Sequence, residues 1–141
     1  MTTSPAPAVN RVLGYAGLIP FLLPALLVLS GSEHGPAITA LAGSYALAII
    51  CFICGSWWGM AQASGARATL WLSNAYLLVA LLLYLFAPLW WSLSAAFLLM
   101  GAWLCEQNDE LFPTYPQDYR RMRTILTLIA AVSMGLLQLS A

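Results

Sequence analysis

The segment from Ala37 to Ala61, AITALAGSYALAIICFICGSWWGMA, runs without one charged side chain. At 1.5 Å of rise per helical residue it is long enough to cross the roughly 30 Å hydrocarbon layer of a bilayer. Working outward, four further stretches read the same way: Val12 to Ser30, Ala68 to Ala87, Leu89 to Cys105 and Met122 to Leu139. Composition agrees, because 62% apolar and only 7% charged residues in 141 positions leave too little polar side chain to cover a globule in water. The expectation is an all-α polytopic membrane protein, a bundle of five transmembrane helices. Residues 11–141 form its single domain, and residues 1–10 form a short disordered tail.

The arginines set the orientation. Arg11, Arg67, Arg120, Arg121 and Arg123 are the five cationic side chains, and with five crossings all of them fall on one side. Short loops that carry Arg stay cytoplasmic. The N-terminus is therefore expected in the cytoplasm and the C-terminus in the periplasm. Trp58, Trp71, Trp103, Tyr15, Tyr115 and Tyr119 sit toward the Arg side, while Tyr84, Trp90 and Trp91 flank the turn at Pro88, as an interfacial aromatic belt would. The first stretch ends in Ser30, Gly31 and Ser32, an outline shared with signal peptides. Its apolar run exceeds their roughly 7 to 15 residues, so it reads as a span.

Inside the spans, past Arg123 at the edge of the last, the informative residues are uncharged. Pro20 and Pro24 share one helix face, and each removes an amide donor and clashes with the carbonyl four residues back. They mark a kink, or with Gly14 and Gly17 a cavity lined by freed backbone carbonyls. Cys51, Gly55, Gly59 and Ala63 recur every four residues, a small-residue stripe that lets another helix approach to backbone contact. It is expected to pack within the chain, with an oligomer seam as the alternative. Asn74, the most costly uncharged group at depth, is expected to hydrogen-bond a neighbouring helix.

Chemistry-bearing motifs are scarce. Cys51 and Cys54 form a C-x-x-C, but no cation or metal partner stands nearby to favour a thiolate, so they read as packing residues. The single histidine, His34 beside Glu33, lies in a loop and offers no axial ligand pair for haem. The remaining charge gathers in a collar of Arg67, Glu106, Asp109, Glu110, Asp118, Arg120, Arg121 and Arg123, read as solvated and self-neutralising, with a partner or anionic lipid heads as alternative contacts. Within it, Thr114 and Gln117 with Pro116 outline a capping box for the last helix, and Asp118 is spaced to pair with Arg121 at i,i+3.

Three blocks carry a resemblance: Leu13-Gly14-Tyr15-Ala16-Gly17-Leu18-Ile19-Pro20-Phe21, Gly55-Ser56-Trp57-Trp58-Gly59-Met60-Ala61, and Tyr119-Arg120-Arg121-Met122-Arg123-Thr124-Ile125-Leu126-Thr127. Together they resemble the transmembrane protein 69 family, a multi-pass domain of unknown function found in bacteria and mitochondria. Where that pattern often has His before Trp-Gly, this chain has Trp57. The resemblance implies a bacterial inner-membrane protein and supplies no reaction.

With no catalytic constellation, metal cluster or cofactor signature, the chain is expected to be non-catalytic and to hold no cofactor. The leading expectation is an accessory, assembly or scaffold subunit of a membrane complex. The alternatives are an oligomeric carrier or channel for an uncharged solute, and an interfacial enzyme acting on a lipid or quinone. Its expected partners are the lipid bilayer and other membrane proteins or copies of itself, not nucleic acid.

Overall fold

The computed structural model describes residues 6–108, 110–112 and 115–140, and the regular elements among them are all helical. They are α1 (Ala6–Ala16), α2 (Ile19–Leu29), α3 (Gly35–Ser64), α4 (Arg67–Phe86), a 3-10 turn (Pro88–Trp90), α5 (Trp91–Glu106) and α6 (Gln117–Leu139). Five helical stretches are long and apolar enough to cross a membrane: Val9–Leu29, Gly35–Ser64, Arg67–Phe86, Pro88–Glu106 and Gln117–Leu139. Helix α1 begins inside the ten residues read as a tail, and residues 1–5 lie outside the described residues.

The first span is broken. Pro20 cannot donate to Ala16 and occupies the opening turn of α2, a position where its missing N–H costs nothing. The chain passes from α1 to α2 through Gly17 and Leu18, with the Gly17 N–H bonded to the carbonyls of Leu13 at 3.0 Å and Gly14 at 3.2 Å. Pro24 sits inside α2 without ending it. The α3–α4 connection is tight: Gly65 adopts φ 73°, a left-handed conformation that suits glycine, and Ala66 N–H closes on the Ala61 carbonyl at 3.1 Å.

Helices α2, α3, α4, α5 and α6 form a closed ring in which each packs on the next, α6 returns to α2, and α3 meets α5 across the centre. The core is built from small residues on the inner faces, Ala42, Ala46, Ala80, Ala95, Ala102 and Ala130, with Ile50, Ile53, Trp57, Leu99, Met134 and Leu137 filling between them. In lipid, apolar burial gives little net drive, so this close approach is held by packing and interhelical hydrogen bonds. Two such bonds tie α5 to α3 and to α4. Trp91 Nε1 donates to the Gly43 carbonyl at 2.9 Å, and the Tyr76 hydroxyl donates to the carbonyl of Leu98.

Several expectations change here. Cys51, Gly55, Gly59 and Ala63 are exposed on the outer face of α3, and a methyl group added at Gly55 or Gly59 would meet nothing within 4 Å, so the stripe does not pack within the chain. The reason is helical phase, because the face of α3 turned inward is the one carrying Ala46, Ile50, Ile53 and Trp57. Asn74 is likewise exposed and donates to the Leu70 carbonyl of its own helix at 2.9 Å, which satisfies the amide without a neighbour. Trp91 belongs to the core rather than to an interfacial belt.

These placements set opposite outcomes for two glycines. Gly59→Ala should leave stability within about 0.5 kcal/mol of the parent, since nothing lies in its path. Gly43→Ala should lose about 1–3 kcal/mol, because the new methyl would stand 2.9 Å from the Trp91 ring and displace its hydrogen bond. Unfolding in mixed detergent micelles, followed by circular dichroism, distinguishes the two.

Candidate functional site

Glu106 is the last residue of α5, and Arg123 lies less than two turns into α6. Both stand at the apolar edge of their spans, and because the two helices are antiparallel neighbours, the side chains meet at the same depth. Arg123 Nε donates to Glu106 Oε2 at 3.0 Å and Nη2 to Oε1 at 3.3 Å, a two-point pairing. Side-chain exposure is only 14% for Arg123 and 8% for Glu106. Trp57, 0% exposed and two turns from the C-terminal end of α3, donates its indole N–H to Glu106 Oε1 at 2.9 Å. Arg123 Nη1 reaches Thr127 Oγ1 at 3.3 Å.

Charges at this depth are costly unless paired and hydrogen-bonded, and this arrangement supplies three donors to one carboxylate. The pair is formally neutral. It is also asymmetric: the carboxylate is well supplied, while the guanidinium has donors in excess of the three used here.

The segment after α5 folds over this group. Phe112 is buried with its ring 5.0 Å from that of Trp57, and Thr69 at the start of α4 donates to the Leu111 carbonyl at 2.8 Å. Tyr115 donates to Met60 Sδ at 2.9 Å and stacks on Tyr119 with ring centres 4.9 Å apart. Burial, reinforced by the nearby Glu106 carboxylate, pushes the Tyr115 hydroxyl up to about 12. A raised folded value means that the neutral phenol is the stabilised form. Its contribution is complete below the ordinary value of about 10 and is lost as pH rises toward 12. Ultraviolet titrations of the parent and of Tyr115→Phe should accordingly differ by one late-appearing phenolate.

Beside the ion pair is a cavity of about 450 Å³. Gly14, Gly17 and Leu18 of the broken first span, Phe21 of α2, Tyr45, Ile49, Ile53 and Ser56 of α3, Leu99 of α5, and Leu126 and Ala130 of α6 line it, with Glu106, Arg123 and Thr127 at its polar end. Helix α1 lies against α6 and closes one wall of the cavity, with Asn10, Leu13 and Gly14 among its lining residues. The Tyr45 hydroxyl donates to the Gly17 carbonyl at 3.0 Å, satisfying one oxygen released by the helix break. Gly14 and Gly17 thus line the cavity as expected, whereas Pro20 and Pro24 are not among its lining residues. Phe52, on its rim, is exposed to the outer surface.

The rest of the charge collar is not brought to this centre. Arg67 and Glu110 are exposed, and Asp109 lies outside the described residues, as does Thr114. Helix α6 starts at Gln117 with Pro116 as its N-cap and no side-chain cap. Asp118 pairs with Arg11 at 3.3 Å rather than with Arg121, because α1 lies along that face of α6. Arg120 donates to Gln107 at 3.1 Å. The collar is therefore split: Glu106 and Arg123 are drawn inside, and Arg67, Glu110, Asp118, Arg120 and Arg121 stay at the surface. Cys54 is buried and Cys51 exposed, both as free thiols, so the C-x-x-C does not form a joint site.

Sequence reasoning missed Trp57 as a polar partner and missed the pairing of Glu106 with Arg123. A signal was present. Each charge directly adjoins an apolar stretch, after Cys105 and Met122, on consecutive antiparallel spans. The three blocks quoted for the resemblance also converge here, through Gly14 and Gly17, Ser56 and Trp57, and Arg123 and Thr127.

Comparison with known proteins gives a family match and a curated relative. The signature of a family described as "Protein of unknown function (DUF3429)" matches residues 6–139. Transmembrane protein 69 of Xenopus tropicalis is 32% identical over 134 residues, covering 92% of this chain and 53% of the relative. The chain spans about half the length of that curated relative. No solved structure matches.

Proposed function

The chain belongs to the DUF3429 family of unknown function, and from that premise we propose that it is a membrane-embedded binding protein for an uncharged amphipathic lipid. The observation that carries this reading is the cavity of about 450 Å³ with apolar walls and one buried, neutral ion pair at its polar end. Ligand sites commonly combine a mostly apolar enclosure with a few convergent polar groups. A ligand head with a hydroxyl or carbonyl can accept from the spare Arg123 donors and leave the pair intact. An anionic head would add a second negative charge beside Glu106, which a low-dielectric site disfavours. The exposed rim at Phe52 offers a lateral route from the bilayer.

Binding rather than turnover is proposed, since the carboxylate is already committed to three donors. The site faces the cytoplasmic leaflet of a bacterial inner membrane in this reading, which follows from the placement of the arginines. A cysteine introduced at Ser32 should then label from the outer side without permeabilisation.

A second reading, a scaffold or oligomer-forming subunit, is favoured by the outward, exposed stripe of Cys51, Gly55, Gly59 and Ala63, whose two glycines face open space among the described residues. One experiment separates the two. The protein is extracted in mild detergent and its intact mass measured, with bound lipids identified. Lipid binding predicts one neutral-head lipid per chain, lost when Ile49→Trp fills the cavity. A lipid-free chain held in a defined complex with itself or other proteins overturns the first reading in favour of the second.

A further inference from the structure

We propose that a separate site on the outer surface of α6 holds an anionic phospholipid, with its phosphate at Arg120 and Arg121 and one acyl chain laid between α6 and α2. A surface cavity of about 420 Å³ is lined by Gln107, Gln117, Arg120, Arg121, Thr124 and Ile125. Its functional groups are two guanidinium groups, two amides and a hydroxyl, with no carboxylate among them. Arg120 spends one donor on Gln107. Among the described residues neither Arg120 nor Arg121 forms an ion pair, since Asp118 is taken by Arg11 and Glu106 by Arg123.

An apolar track begins where the charge ends. Arg121, Ile125, Leu128, Val132 and Leu136 follow one another at spacings of three or four and so share one face of α6, and the last four are exposed. The far part of this track forms an apolar groove of about 350 Å³ with Leu22, Leu26 and Leu29 of α2. From Ile125 to Leu136 the helix rises about 16 Å, close to the length of a membrane acyl chain. Positive charge at one end continuous with an apolar track of that length fits a phosphodiester head carrying a tail, not a free anion. The lipid in the interior cavity is uncharged and its polar contacts are Glu106 and Arg123, so the two sites are distinct in residues and in ligand charge.

The test titrates phosphatidylglycerol and phosphatidylcholine of identical acyl chains onto the purified full chain carrying Ile49→Trp, which closes the interior cavity, reading bound lipid by intact mass. Phosphatidylglycerol should bind more tightly. Arg120→Gln with Arg121→Gln should weaken it about 30-fold, taking about fivefold for each interfacial arginine. Arg67→Gln, a cation on the same side but on another helix, should leave it unchanged, and inorganic phosphate at equal concentration should not displace it. Equal binding of the two lipids, an unaffected double variant, an equal loss in Arg67→Gln, or displacement by inorganic phosphate would each overturn the proposal.

Discussion

Replacing Arg123 by Ala is expected to cost about 3–5 kcal/mol of stability, because it leaves the Glu106 carboxylate buried among apolar groups with Trp57 as its remaining donor. A loss of that size removes a large part of the margin by which most domains stay folded. Glu106→Gln should cost less, since the amide oxygen still accepts from Trp57, yet Arg123 then lacks its counter-charge. Combining Arg123→Gln with Glu106→Gln should recover much of the loss, as two neutral amides bury more cheaply than one unpaired ion. The measurement is a double-mutant cycle of Arg123→Gln and Glu106→Gln on unfolding in mixed micelles. Independent, additive losses would show that the pair is not coupled across α5 and α6.

Trp57→Ala should be comparably severe, at about 3–5 kcal/mol, and by a different route. The indole is wholly buried and packs against Tyr76 with ring centres 5.4 Å apart and against Phe112 at 5.0 Å. In a membrane the lost transfer energy is small, so the cost comes from the void and from the carboxylate oxygen that loses its N–H. Trp57→Phe separates these contributions: it keeps most of the ring packing and removes one bond to a charged acceptor, for about 1.5–3 kcal/mol. Phe112 should also loosen in the Ala variant, so proteolysis between α5 and α6 should accelerate there and not in the Phe variant. Equal cleavage rates would argue that the segment is held by Thr69 and Tyr115 alone.

Both substitutions fall on residues whose roles were only partly legible. Glu106 and Arg123 were recognisable as the ends of a charge collar, and Arg123 stood inside a block that carries the family resemblance. Their mutual burial was not recognisable, because it depends on α5 and α6 being packed neighbours with a shared depth. Trp57 and Trp58 are indistinguishable in sequence. One is the largest fully buried side chain among the described residues and the other is exposed, a difference set by 100° of helical rotation. The same rotation explains why the stripe at Cys51, Gly55, Gly59 and Ala63 was read as an inward seam: periodicity identifies a face, not the direction it points. Asn74 was misread because a side-chain amide can be satisfied by its own helix.

Span number and class followed from the sequence alone, because a bilayer imposes a length of apolar helix that no local interaction can override, and charges are excluded from its interior one residue at a time. Pro20 likewise broke the first span where its chemistry required, between α1 and α2. What only the tertiary structure decided was the use made of that break. Whether α1 continues against α3 or swings onto α6 is a competition among packing surfaces far apart in the chain. Its outcome made α1 one wall of the cavity, at whose end the packing of α5 on α6 sets the Glu106–Arg123 pair.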